Sequence, residues 1–183
     1  NTAHELGHKR TCLERWLARL ALAVVGYGHF HVEHNIGHHG AVATPEDSAS
    51  SRMGESIYGF ALREIPGGIR RAWALETQRL AKAGKGPWTI ANTILQPLAV
   101  TLLLYLGLLG VFGTVVLPFL VIQLGVGWWQ LTSANYVEHY GLLRSKRSNG
   151  RYESCQPRHS WNSNHLASNL VLFNLQRHSD HHA

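Results

Sequence analysis

The order of apolar and polar positions divides the chain into four zones. Zone one, 1–39, runs with helical periodicity through two groups of histidines. Its apolar run, 16–30, has Arg15 at the edge and Arg19 inside. That run is shorter than the ~20 residues a bilayer-spanning helix needs, so it predicts a buried or interfacial helix. Zone two, 40–85, is polar and basic. Thr44-Pro45-Glu46-Asp47 reads as a helix start, with a capping hydroxyl, a proline in the first turn and acids behind it. Pro66-Gly67-Gly68 reads as a break. A second helix is expected over 69–83, with Ile69, Ala72, Trp73, Leu75 and Leu80 as its apolar surface.

Zone three, 86–137, holds no Lys, Arg, Asp or Glu over 52 residues. As one helix it would extend ~78 Å at ~1.5 Å per residue, against a hydrocarbon core of ~30 Å. A two-helix hairpin fits better, with spans over 94–112 and 115–131 and a turn near 110–114. Trp88, Trp128 and Trp129 would anchor it at one interface, and the Lys and Arg residues on both flanks place both flanks on the cytoplasmic side. Zone four, 138–183, is polar again, with a loop over 144–158. The expected fold class is all-α: an integral-membrane helical protein with one transmembrane hairpin, its four zones forming a single catalytic domain.

Composition sharpens this picture at one residue type. Thirteen histidines are present in 183 residues, beside a formal net charge of +6. Cys12 and Cys155 stand in no spacing motif and exclude a cysteine-built metal site or a disulfide framework. Both chain ends lie inside histidine groups, so the chain is expected to be an internal piece of a longer protein.

Four motifs collect most of the histidines: His4-Glu5-Leu6-Gly7-His8-Lys9, Glu33-His34-Asn35-Ile36-Gly37-His38-His39, Asn135-Tyr136-Val137-Glu138-His139-Tyr140-Gly141 and Leu175-Gln176-Arg177-His178-Ser179-Asp180-His181-His182. Side chains three and four apart share a helix face, so His4 with His8, His34 with His38, and His178 with His181 and His182 are each expected to point one way. Neighbours such as His38 and His39 can serve two adjacent ions. Imidazole suits Zn, Fe, Cu and Ni alike. A histidine-rich transporter or store is disfavoured, because Asn92, Gln96, Thr101, Gln123 and Gln130 offer no ionisable ligand within the spans.

HELGHK, EHNIGHH and LQRHSDHH resemble the histidine boxes of the membrane-bound fatty acid desaturase and hydroxylase superfamily. NYVEHYGL, at 135–142, is similar to the added signature of AlkB-type alkane 1-monooxygenases, as are the stretches 43–48 and 160–165. The resemblance covers essentially the whole chain. It implies two non-haem iron ions held by His4, His8, His34, His38, His39, His139, His178, His181 and His182. Glu5, Glu33, Glu138 and Asp180 stand beside these ligands and would orient their rings. His29, His31, His159 and His165 fall outside the boxes.

The implied activity is hydroxylation of the terminal carbon of n-alkanes to 1-alkanols with O2. The two electrons would come from rubredoxin, itself reduced by an NADH-dependent rubredoxin reductase. Arg70, Arg71, Arg79, Lys82, Lys146 and Arg147 are candidate docking charges for that acidic partner. Fatty acyl desaturation and aromatic-methyl hydroxylation are the alternatives on the same centre. The expected location is the bacterial inner membrane, with the metal site on the cytoplasmic side and no nucleic-acid partner.

Overall fold

A computed structural model describes residues 2–172 and 174–182, with Asp180 described by its backbone alone. In chain order the α-helices are α1 (Thr2–Gly7), α2 (Cys12–Val24), α3 (Phe30–Val32), α4 (His39–Ala41), α5 (Ile57–Lys82), α6 (Leu95–Phe112), α7 (Leu117–His139) and α8 (Leu166–Val171). A π-helical turn, Glu33–His38, joins α3 to α4, and 3-10 turns occupy Gly113–Val116, Pro157–His159 and His178–Asp180. The only β-pairing among the described residues is two isolated bridges, Lys146 with Tyr152 and Asn162 with Arg177. The fold is all-α, as expected. The chain divides into two compact units, one made of 37–67 and 131–183, the other of 2–36 and 68–130.

In the second unit, Thr11 caps α2: its Oγ1 accepts from the Glu14 amide at 3.2 Å and donates to the Glu14 carboxylate at 2.6 Å. The helix ends at Val24, short of the expected residue 30. Two close approaches explain the stop. Gly26 takes a positive φ of 62°, and Gly28 lies so near Pro97 that an added Cβ would sit 2.5 Å from the proline ring. The apolar run 16–30 is therefore a helix followed by a packed corner.

The charge-free zone folds as α6, a turn and α7. Gly113, with φ 68° and ψ −164°, ends α6 in a conformation essentially reserved for glycine. At the end of α2, Ala23 O accepts the Gly26 amide at 3.1 Å, while the carbonyls of Val24 and Val25 lie beyond the reach of the helix's own amides. Side chains from both sides of the turn supply them. Thr101 Oγ1 donates to Ala23 O at 2.7 Å, Tyr105 Oη to Val24 O at 2.9 Å, Gln123 Nε2 to the same Val24 O at 3.4 Å and Trp128 Nε1 to Val25 O at 2.9 Å. The chain consequently doubles back at Gly113. Polar residues inside an apolar hairpin are thereby assigned to helix-end satisfaction.

Most large apolar side chains of the hairpin face outward; Leu103 is 73% exposed and Val115 80%. Leu95–His139 is long and apolar enough to cross a membrane, and little of its most apolar stretch is buried. An outer surface of that kind belongs in lipid rather than water.

In the other unit, two local expectations fail. Thr44-Pro45-Glu46-Asp47 begins no helix; it lies in a turn-rich loop, and α5 starts only at Ile57. Asp47 is engaged by His38, Ser50 Oγ and the Ala49 amide, which withdraws it from any capping role. Pro66-Gly67-Gly68 does not break the chain, because α5 runs through it. Gly67 instead admits Ser48, whose Cβ would lie 2.9 Å from a Cβ added at the glycine. The end of α7 is tied into this unit through buried Glu64, which accepts from Thr132 Oγ1 at 2.8 Å and Asn135 Nδ2 at 3.1 Å.

Candidate metal centre

Each unit gathers its own group of imidazoles. In the unit made of 37–67 and 131–183, the π turn ends at His38, α7 ends at His139, and the last 3-10 turn delivers His178 and leads into His181 and His182. Ring centroids lie 4.7 Å apart for His38 and His139, 4.8 Å for His38 and His182, 5.3 Å for His139 and His178, and 4.5 Å for His178 and His182. Candidate ligand atoms of these four residues all fall within 4.8 Å of one another. Nε2 of His178 and Nε2 of His182 approach to 2.7 Å. His39 and His181 adjoin the group, with ring centroids 4.3 and 5.0 Å from that of His182.

The donor set suits a transition-metal ion. His38 and His139 are fully buried. His139 Nδ1 faces the His159 carbonyl at 3.3 Å, which turns Nε2 into the group; that buried nitrogen has no hydrogen-bond partner among the described residues. Such an atom costs free energy unless something takes its lone pair. Burial, reinforced by the rings of His38, His178 and His139, drives the His182 pKa far below the ordinary imidazole range and keeps that ring in its neutral, metal-binding form.

Backbone contacts hold His139 in place. Trp161 N donates to Glu138 O at 2.8 Å, and Trp161 Nε1 donates to Tyr140 O at 2.9 Å. With the His159 carbonyl, these contacts strap 157–161 across three consecutive residues of the third motif. Burial lowers the His159 pKa, only partly offset by Glu153 at 3.4 Å.

In the unit made of 2–36 and 68–130, His4 on α1 and His8 just after it meet His34. The ring centroids are 5.0 Å apart for His4 and His8, 4.4 Å for His4 and His34, and 5.2 Å for His8 and His34. Their candidate ligand atoms also lie within 4.8 Å of one another. The Phe30 ring stacks on His34 at 4.8 Å and shields it.

His34 and His38 thus join different groups, although their spacing made them a same-face pair. Between them the chain is a π turn rather than an α-helix, and the unit boundary falls there, so each ring meets the histidines of its own unit. His4 with His8, and His178 with His181 and His182, do come together.

Of the flanking acids, Glu5 Oε1 lies 3.1 Å from His4 Nδ1, and Glu138 Oε2 lies 3.4 Å from His178 Nε2. Glu33 is paired with Arg71. The Asp180 side chain lies outside the described residues. The acid that sequence spacing missed is Asp47, whose Oδ2 lies 2.8 Å from His38 Nδ1 with both side chains fully buried. No periodicity links the two, and only the family-like stretch 43–48 hinted at it. His29 packs against Tyr27 and Trp128, and burial lowers its pKa to about 4. His31 is lowered to about 4 by burial, with Arg19 and Arg15 adding to it.

The family model for fatty acid desaturases matches residues 1–183. The chain belongs to the fatty acid desaturase family. Among curated relatives, it is 66% identical over its whole length to alkane 1-monooxygenase 1 of Alcanivorax borkumensis and 64% identical to alkane 1-monooxygenase of Pseudomonas putida, covering 45% and 46% of those proteins. It is 30% identical to the xylene/toluene monooxygenase hydroxylase component of Pseudomonas putida, covering 98% of this chain and 47% of that protein. The chain spans about half the length of the curated relatives it matches. The histidine groups of this desaturase-family chain and its long apolar helical stretch are compatible with a non-haem di-iron centre in a membrane protein.

Proposed function

We propose that this chain carries the metal centre of a membrane-bound alkane 1-monooxygenase. One iron would be held by His4, His8 and His34, the other by His38, His139, His178 and His182, with His39 and His181 beside the latter group. The observation that carries the reading is the buried, all-imidazole convergence at His38, His139, His178 and His182. Bound iron would supply the activation of O2 and of an unactivated C–H bond that no protein side chain can supply.

The residues of the chain perform the rest. The strap 157–161 holds the His139 tautomer, and Glu5 and Glu138 stand where they can orient His4 and His178. The apolar hairpin sits where an n-alkane dissolves, which favours substrate arriving from the bilayer rather than from water. The balance is one alkane, one O2, two electrons and two protons giving one 1-alkanol and one water.

The electrons are assigned to rubredoxin, reduced by an NADH-dependent rubredoxin reductase. Of the candidate docking charges, Arg71 and Arg79 are bound to Glu33 and Glu76, while Lys146 and Arg147 are exposed. Charge reversal at Lys146 and Arg147 should raise the apparent KM for rubredoxin in a salt-sensitive way. Positive flanks on both sides of the hairpin favour a cytoplasmic metal site in the inner membrane.

The higher identity to alkane 1-monooxygenases favours alkanes over methyl-aromatics as substrates. The test is to feed n-octane and n-hexadecane, under 18O2, to cells making the full-length protein. Labelled 1-alkanol is expected. An iron-loaded protein that leaves both alkanes untouched would overturn the reading.

A further inference from the structure

His38 and His139 are both fully buried, and each has its Nδ1 turned to a different kind of acceptor. His139 meets a neutral carbonyl, that of His159, at 3.3 Å. His38 meets the Asp47 carboxylate at 2.8 Å. The carboxylate is itself built in. Ser50 Oγ donates to its Oδ2 at 2.6 Å and the Ala49 amide to its Oδ1 at 3.2 Å, while Ser50 Oγ also accepts the Ala43 amide at 2.8 Å.

The surrounding loop is pinned to the end of α7. Ser51 Oγ donates to Tyr136 O at 2.7 Å, Gly141 N donates to Ser51 O at 3.0 Å, and Tyr136 Oη donates to Glu55 O at 2.6 Å. Asp47 therefore reaches His38 from a loop fastened to the helix that carries His139. An ionised carboxylate with both side chains removed from water is costly to bury. Two donors, Ser50 Oγ and the Ala49 amide, and a short contact to one imidazole are the arrangement that makes such burial sustainable.

We propose that Asp47 is a positioning residue for the metal held by the His38 group. It fixes His38 with its proton on Nδ1 and Nε2 toward the group, and its charge makes that imidazole a stronger donor than His139. Ser50 holds the carboxylate in line. This rests on metal binding by the His38 group and is independent of the substrate assigned above.

The full-length protein in detergent gives the test, read first by iron content and then by the visible ligand-field spectrum after Co(II) substitution. Asp47→Asn keeps the shape and an acceptor oxygen but removes the charge, and should weaken metal affinity ~10–100-fold and shift the Co(II) bands. Ser50→Ala should produce a smaller change in the same direction. Glu46→Gln alters a neighbouring exposed carboxylate bonded to Tyr152 Oη and should change neither readout.

Thermal unfolding of the metal-free proteins separates positioning from folding. Weaker binding by an Asp47→Asn protein that melts like the wild type supports the proposal. Unchanged affinity and unchanged bands in the folded Asp47→Asn protein would overturn it, as would a loss of binding that only tracks a lower metal-free Tm. A wild-type protein that bound no metal would instead overturn the metal reading itself.

Discussion

Tyr105 and Gln123 donate to one acceptor, the carbonyl of Val24, from opposite sides of the Gly113 turn. In an unbroken helix these residues would stand ~27 Å apart. Their shared partner makes the hairpin a consequence of specific hydrogen bonds as well as of length. Because Thr101, Tyr105, Gln123 and Trp128 donate to the carbonyls that close α2, they explain how an apolar segment tolerates polar side chains.

The turn itself should be sensitive. Gly113 has φ 68° and ψ −164°, a region closed to residues with a Cβ. Gly113→Ala should cost ~1–3 kcal/mol, read as a lower unfolding midpoint in detergent. A midpoint equal to the wild type would mean that the turn accepts another geometry.

Two glycines of α7 should respond in opposite directions. An added Cβ at Gly127 would lie 2.9 Å from Val25 Cβ and Cγ1, whereas at Gly125 nothing stands within 4 Å. Gly127→Ala should destabilise by ~1–3 kcal/mol through overpacking. Gly125→Ala should be neutral or stabilising by up to ~1 kcal/mol, since alanine is the better helix former. The order of the two midpoints decides the matter; the reverse order would contradict the packing described.

His29 should add a pH dependence to stability. Its ordinary pKa of 6.5 is lowered to about 4 by burial. The unfolded chain takes up a proton at this site below 6.5, and the folded chain resists until about 4. Stability therefore falls as pH drops through that window and is fully present above it. The contribution at stake is at most ~3 kcal/mol. Comparing unfolding at pH 7 and pH 5, His29→Phe should lose less stability than the wild type; equal losses would show that other groups carry the effect.

Separate imidazole groups should lose metal separately. On the proposed assignment of one iron to each group, His139→Ala should remove about half of the bound iron, as should His4→Ala, and the double variant should retain almost none. Metal analysis of the purified proteins checks this. Loss of both ions from either single variant would show that neither group holds an ion independently.

Much of this was legible along the chain, because each signal was local. Eight of the box histidines stand out by spacing, His139 is singled out by the family-like motif around it, and the uncharged stretch 86–137 is visible by counting. Three local readings went astray. Pro66-Gly67-Gly68 passes for a break, but Gly67 serves the approach of Ser48. Thr44-Pro45-Glu46-Asp47 passes for a cap, but its acid is drawn to His38. The run 16–30 passes for one helix, but Gly28 must clear Pro97 far along the chain.

The sequence by itself determined the helical class, the apolar hairpin and the inventory of imidazoles, since periodicity, absence of charge and i,i+4 spacing are properties of neighbouring residues. Tertiary structure alone decided that His34 and His38 serve different groups, that Asp47 stands behind His38, and that the His159 carbonyl sets the tautomer of His139. Those outcomes depend on contacts across many residues of chain. Burial selects such contacts by the cost of leaving polar atoms unmatched, and no local pattern records that cost.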